Sequence, residues 1–166
     1  LEKPCVLVDG LDVVLVEPEI PHNTGAIARL CLATRSRLHL VGRLGFRIDE
    51  KSVRRAGLDY WQHVPITHHD TFDDFCMKFN GAILLYESKS GVDYDQSRID
   101  GPTALVFGSE SRGLSETILS GSLPIYRLPI YDEKVRSLNL ATTVGIVLYD
   151  AVRQLRSAGR WPGGGT

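Results

Sequence analysis

Three short polar segments of this 166-residue chain hold the residue types most able to do chemistry. The first is PEIPHNTGAIAR, Pro18–Arg29. It sets Asn23, which both donates and accepts, at a helix start, with the rigid donor fork of Arg29 further along that helix. The second is FGSESRG, Phe107–Gly113, where Gly108 lets a ligand approach the backbone and Glu110 and Arg112 follow. The third is LPIYDEKVRSLNLA, Leu128–Ala141, which brings Arg136, Ser137 and Asn139 to the start of a long helix. Donors at a helix start can hold a carboxylate or a polar cofactor. Each segment taken alone also fits an ordinary capped helix or tight turn.

Several familiar sites are excluded by spacing. Gly108 and Gly113 invite comparison with a phosphate-binding loop, but Leu114 stands where that motif needs Lys. The GxSxG elbow of serine hydrolases fails, because Ser111 lies three residues after Gly108. No GxGxxG follows the first strand. The cysteines, Cys5, Cys31 and Cys76, are odd in number with no CxxC pair, so neither a zinc site nor a disulfide framework is expected. His68 and His69, beside Asp70, are expected in a surface loop at a helix start and not as metal ligands.

The elements that must position these segments follow from pattern. Asp12–Val16, Arg37–Val41, Ala82–Tyr86, Thr103–Phe107 and Ile125–Leu128 are short β-branched or apolar runs that read as buried strands. His63–Ile66 is an expected edge strand, since Pro65 cannot donate to a ladder. Helices are expected over Gly25–Thr34, capped by Asn23 or Thr24, and over Asp70–Phe79 with Phe72, Phe75 and Phe79 apolar. From Leu140 the residues Val144, Val147, Leu148, Ala151, Val152 and Leu155 form one stripe of a long amphipathic helix with Ser137 or Asn139 as cap. Alternation of strands and helices implies an α/β fold, a mostly parallel sheet flanked by helices. In such a sheet ligands bind beyond the carboxyl ends of the strands, and the three polar segments are loops that follow strands. The expected organisation is an extension over 1–11, a single domain over 12–156 and a flexible tail over 157–166.

Bulk charge is close to neutral, at −1, but it is unevenly spread. Between Ile27 and Arg55 lie Arg29, Arg35, Arg37, Arg43, Arg47, Lys51, Arg54 and Arg55, against only Asp49 and Glu50. Such a stretch suits phosphates or, equally, a solvated face. No apolar run is long enough to span a bilayer and no signal-peptide pattern opens the chain, so a cytoplasmic protein with no membrane partner is expected.

Taken together and in order, the three polar segments resemble the three signature motifs of the SPOUT methyltransferases. The stretches EPEIPHNTGAIARLC, RLHLVGRLGF, RRAGLDY, THHDTF, FGSESRGL, RSLNLA and LYDAVRQL most resemble the bacterial tRNA (cytidine/uridine-34 2′-O)-methyltransferase family, over Asp12 to Gln154. That resemblance implies a C-terminal trefoil knot, S-adenosylmethionine as cofactor, tRNA as substrate and a homodimer. Carried over by position, it implies catalytic roles for Asn23, Arg29, Glu110 and Asn139. It implies cofactor contacts at Tyr86, Gly108, Leu128 and Ser137, with Tyr86 and Leu128 acting largely through backbone. Arg54 and Arg55 would hold the tRNA backbone, and Tyr149 would lie near the dimer interface. No metal is implied. An rRNA ribose as target, or a non-catalytic binding module, are the alternative readings.

The chain departs from the family pattern at His22, at Ala26, at YESKSG (86–91) and in a longer 130–136 loop. The methyl donor is already activated, so the protein must supply alignment and help with the hydroxyl proton. Because a guanidinium has a pKa above about 12, Arg29 is expected at least to stabilise developing charge, with base function open.

Overall fold

The computed structural model describes residues 10–48, 51 and 60–161. Seven strands form one sheet in which every pairing is parallel. In chain order these are β1 (Leu11–Val16), β2 (Arg37–Val41), β3 (Ile66–His69), β4 (Ala82–Tyr86), β5 (Val92–Asp93), β6 (Thr103–Phe107) and β7 (Ile125–Arg127). Their order across the sheet is β3-β2-β1-β6-β4-β7-β5. Among the described residues the main helices are α1 (Pro21–Thr34), α2 (Phe72–Lys78), α3 (Glu116–Leu119) and α4 (Leu140–Ser157), with 3₁₀ turns at Trp61–His63 and Tyr94–Gln96.

The expected α/β class holds, and the alternation of β1 shows how the sheet is covered. Val13 and Leu15 face one core with Ile27, Ala28 and Cys31 of α1 and Val144, Val147, Leu148, Ala151, Val152 and Leu155 of α4. Val14 and Val16 face a second core with Phe75 of α2, Leu114 and the partly buried Ile118 and Leu119 of α3. All six stripe positions of α4 are buried, as the 3.6-residue period requires. Burial pushes the Cys31 thiol well above its ordinary range, with Asp12 adding to the shift, so this thiol is inert. No helix among the described residues is long and apolar enough to cross a membrane.

Several local expectations need correction. Helix α1 begins at Pro21, four residues before Gly25, and Ile20 caps it without a side-chain bond. Pro21 has the fixed φ that suits a first helical turn, which lets the helix start there. Asn23 and Thr24 are therefore buried inside the helix and cap nothing. The third strand is Ile66–His69, not His63–Ile66, and residues 61–63 form the 3₁₀ turn. Pro65 still contributes to the sheet edge, through its carbonyl, which accepts from Leu38 N at 3.1 Å.

His69 is likewise not in a surface loop. It is 4% exposed at the end of β3, and its Nε2 lies 3.0 Å from Nδ1 of His39, whose Nε2 meets Asp12 at 2.8 Å. Phe75 packs edge-on against both rings. Helix α2 is shorter than expected, capped by Thr71 Oγ1, which accepts from Asp74 N at 3.1 Å. Strand β7 ends at Arg127, so Leu128 is the first residue beyond it.

Candidate functional site

The carboxyl ends of β4, β6 and β7 open into a cleft of about 740 Å³. Its walls are the segments that sequence singled out. Asn23, Tyr86, Gly108, Glu110, Leu128, Ser137 and Asn139 all line it. They come from five separate stretches, so only the parallel topology brings them together.

Three of these residues are joined side chain to side chain. Asn139 Nδ2 donates to Asn23 Oδ1 at 3.0 Å, and Asn23 Nδ2 donates to Glu110 Oε1 at 3.2 Å. Asn139 also caps α4, its Oδ1 accepting from Thr142 N at 3.2 Å. Glu110 goes further. Its Oε2 accepts from Glu19 N at 2.7 Å and its Oε1 from Ile20 N at 3.0 Å. The carboxylate thus binds the backbone at the entrance to α1, where a negative charge is favoured by the helix dipole. Ser111 Oγ reinforces this by donating to Glu19 Oε1 at 2.6 Å. The family resemblance implies a catalytic role for Glu110; in the fold its oxygens hold the loop before α1 against the loop after β6.

The Phe107–Gly113 segment is a closed turn. Ser109 N donates to Gly113 O at 3.2 Å and Gly113 N to Ser109 O at 2.9 Å. Gly108 sits so close to the returning chain that a Cβ would lie 2.0 Å from the Gly113 carbonyl carbon. Only glycine fits, and the backbone therefore lines the cleft directly.

Tyr86 is buried and stacks on Phe107 at 5.2 Å between ring centroids. Burial pushes its hydroxyl far above the ordinary tyrosine value, so it stays protonated. Its side chain belongs to the core cluster, and the residue also lines the cleft. Leu128, Ile130 and Leu138 offer apolar wall, while Ser137, Arg136 and Lys89 offer donors. The size lies within the range of small-molecule and cofactor sites, and mixed apolar and polar walls suit a nucleoside carrying a charged amino-acid tail. The residues present therefore fit S-adenosylmethionine.

Arg29 is not brought into this cleft. It is exposed on α1, where its Nη2 donates to Tyr60 Oη at 3.1 Å and its guanidinium lies 4.7 Å from the centre of the Tyr60 ring. Tyr149 is half exposed on α4, on the same helix as exposed Ile146. Arg54 and Arg55 lie outside the described residues. Of the other basic residues, Arg37 is held by Asp12 at 3.2 Å.

Two residues were missed by sequence reasoning. Tyr60 gives no sequence signal beyond lying in RRAGLDY. Glu87 lines the cleft directly after β4, and its only trace in sequence is the unusual YESKSG segment.

The fold and site define a parallel α/β ligand-binding domain with its cleft at the carboxyl edge of the sheet and no dinucleotide or phosphate loop in it. The chain belongs to the SpoU rRNA Methylase family, whose model matches residues 10–149. It is 40% identical over 153 residues to the tRNA (cytidine(34)-2'-O)-methyltransferase of Aeromonas hydrophila, covering 90% of this chain and 97% of that one. A solved structure described as giving insights into 2-OH methylation of C/U34 on tRNA aligns with a TM-score of 0.80 and 38% identity. That alignment covers 89% of this chain and 97% of the other. An AdoMet-bound rRNA methyltransferase from Sinorhizobium meliloti aligns with a TM-score of 0.77 and 26% identity, over 92% of this chain and 61% of that one.

Proposed function

We propose that the chain transfers a methyl group from S-adenosylmethionine to the ribose 2′-oxygen of tRNA nucleotide 34, a cytidine or modified uridine. The observation that carries this reading is the convergence of Asn23, Glu110 and Asn139, three separate motifs, into one hydrogen-bonded chain at the cleft. The near full-length likeness to a tRNA (cytidine(34)-2'-O)-methyltransferase supports tRNA over rRNA as the substrate.

S-adenosylmethionine, when bound, supplies an activated methyl group. The backbone of Tyr86, Gly108 and Leu128 and the hydroxyl of Ser137 would hold it, in a cradle that the C-terminal segment closes as a trefoil knot. The protein's own work is alignment and charge. Asn23, Glu110 and Asn139 fix the loops around the cleft. Arg29 stabilises negative charge on the 2′-oxygen as the hydroxyl proton passes to water, a role suited to a permanent cation with a rigid fork.

Because Arg29 does not line the cleft of its own chain, it would serve the cleft of a second copy in a homodimer. Exposed Ile20, Leu138, Ile146 and Tyr149 would contribute to that interface. Arg54 and Arg55 would grip the tRNA backbone, together with exposed Arg43 and Arg47 in the same basic stretch.

The test is transfer of labelled methyl to tRNA by the purified protein, alone and as Arg29→Ala mixed with Asn139→Ala. Each variant alone is expected to be nearly inactive. The mixture is expected to regain activity, because mixed dimers hold one cleft with both residues intact. No recovery would contradict the shared site, and full activity in Arg29→Ala would contradict the role of Arg29.

A further inference from the structure

Glu87 is a carboxylate in the cleft that none of the three motifs accounts for. It is half-buried, and its two oxygens point to different parts of the chain. Oε1 accepts from Ser88 N at 2.7 Å and Ser88 Oγ at 3.2 Å. Oε2 accepts from Leu114 N at 3.1 Å. Glu87 N itself donates to Tyr126 O at 2.9 Å, which anchors the residue to β7. Among the described residues the donors to its carboxylate are backbone N–H groups and one hydroxyl, with no ion pair.

The partner it reaches is the end of the closed turn after β6. Gly113 has a φ of +67°, and a Cβ there would lie 2.6 Å from Glu87 Oε2. At the start of the same turn, Gly108 packs against the Gly113–Leu114 backbone, and all three residues line the cleft. Glu87 therefore holds the end of a turn that forms cleft wall along its whole length, from Gly108 to Leu114. A longer or weaker clasp would let Gly113 and Leu114 move, and Gly108 would move with them.

We propose that Glu87 is a positioning residue for cofactor affinity, a carboxylate clasp that fixes the 108–114 turn to the end of β4 in its binding shape. This rests on the reading of the cleft as the S-adenosylmethionine site. Its effect falls on cofactor binding rather than on methyl transfer from the bound state. A hydrogen bond to a charged acceptor is strong enough that losing the Leu114 contact should weaken cofactor binding by about tenfold or more.

Calorimetry with S-adenosylmethionine on the full chain reads this directly, beside kinetics with tRNA. Glu87→Ala is expected to raise Kd and KM for S-adenosylmethionine by about tenfold or more, with kcat at saturating cofactor and tRNA affinity within about twofold. Glu87→Gln keeps one acceptor oxygen and the volume, so it is expected to fold as wild type and fall between the two. Gly113→Ala should also weaken binding, and its cost should be smaller in the Glu87→Ala background, because the clash with Oε2 is gone.

Wild-type cofactor affinity in both Glu87 variants would overturn the proposal while leaving the proposed function intact. So would a loss confined to kcat or to melting temperature. Absence of S-adenosylmethionine binding by the wild-type protein would overturn both readings together.

Discussion

Replacing Glu110 with alanine distinguishes a carboxylate that builds the site from one that exchanges protons with substrate. Glu110 accepts from Glu19 N, Ile20 N and Asn23 Nδ2, at 2.7, 3.0 and 3.2 Å. A hydrogen bond to a charged group contributes about 1.5–3 kcal/mol. One of the three is exposed and the others are half-buried, so water recovers part of each. The expected net loss is about 2–4 kcal/mol, including the favourable charge at the entrance to α1. At about 2–4 °C per kcal/mol for a chain of this size, the melting temperature should fall by roughly 5–15 °C. Methyl transfer should fall with it, because Asn23 loses the partner that orients it.

Scanning calorimetry measures the first effect and labelled-methyl transfer the second. Glu110→Gln, with one acceptor oxygen left, should lie between wild type and Glu110→Ala in both. A carboxylate whose only work is proton exchange would leave stability untouched on removal. A melting temperature within about 1 °C of wild type for Glu110→Ala, with activity lost, would refute the structural role.

Three further outcomes follow from the same geometry. Asn139→Ala should cost about 1 kcal/mol through the lost cap of α4 and should also abolish most methyl transfer. Asn139→Asp should restore the melting temperature but not activity, since it keeps the capping oxygen and loses the Nδ2 donor to Asn23. Arg29→Lys should fail to restore the transfer lost in Arg29→Ala, because an ammonium lacks the planar fork, while both variants melt within about 0.5 kcal/mol of wild type given the exposure of Arg29.

The third concerns pH. Burial above all, then His39 and Lys78, with His68 adding less, hold the His69 imidazole below its ordinary value; Asp74 opposes them. The unfolded chain then takes up the proton more readily. The contribution of neutral His69 is therefore complete above the unfolded value of about 6.5 and is lost as pH falls through the lower folded value. Urea midpoints taken between about pH 8 and pH 5 should drop on the acid side, and His69→Gln should flatten that drop.

How much of this was legible in the sequence depended on how far each interaction reaches along the chain. Helix α4 was legible throughout, because its six buried positions follow a local period and Asn139 caps it locally. The central strands were legible for the same reason, as continuous apolar runs buried on both faces. The start of α1 was not. Its polar Asn23 and Thr24 have the composition of caps, yet the backbone at the entrance is satisfied by Glu110, some ninety residues away. Strand β3 was misplaced because its sequence, ITHH, lacks an apolar pattern; what stabilises it is a histidine pair with β2. Asn23, Glu110, Asn139, Gly108 and Leu128 were singled out through ordered motifs, and the structure gathers them in one cleft. Glu87 was invisible because its meaning lies in two backbone contacts, one of them across 27 residues.

The central claim is methylation of the wobble ribose, and it is tested most directly by nucleotide mapping of total tRNA after incubation with the wild-type protein and methyl-labelled S-adenosylmethionine. The expected result is label confined to the ribose 2′-oxygen of nucleotide 34. Label on a base, on another ribose, or on rRNA alone would contradict the account, as would bound cofactor with no transfer to any RNA.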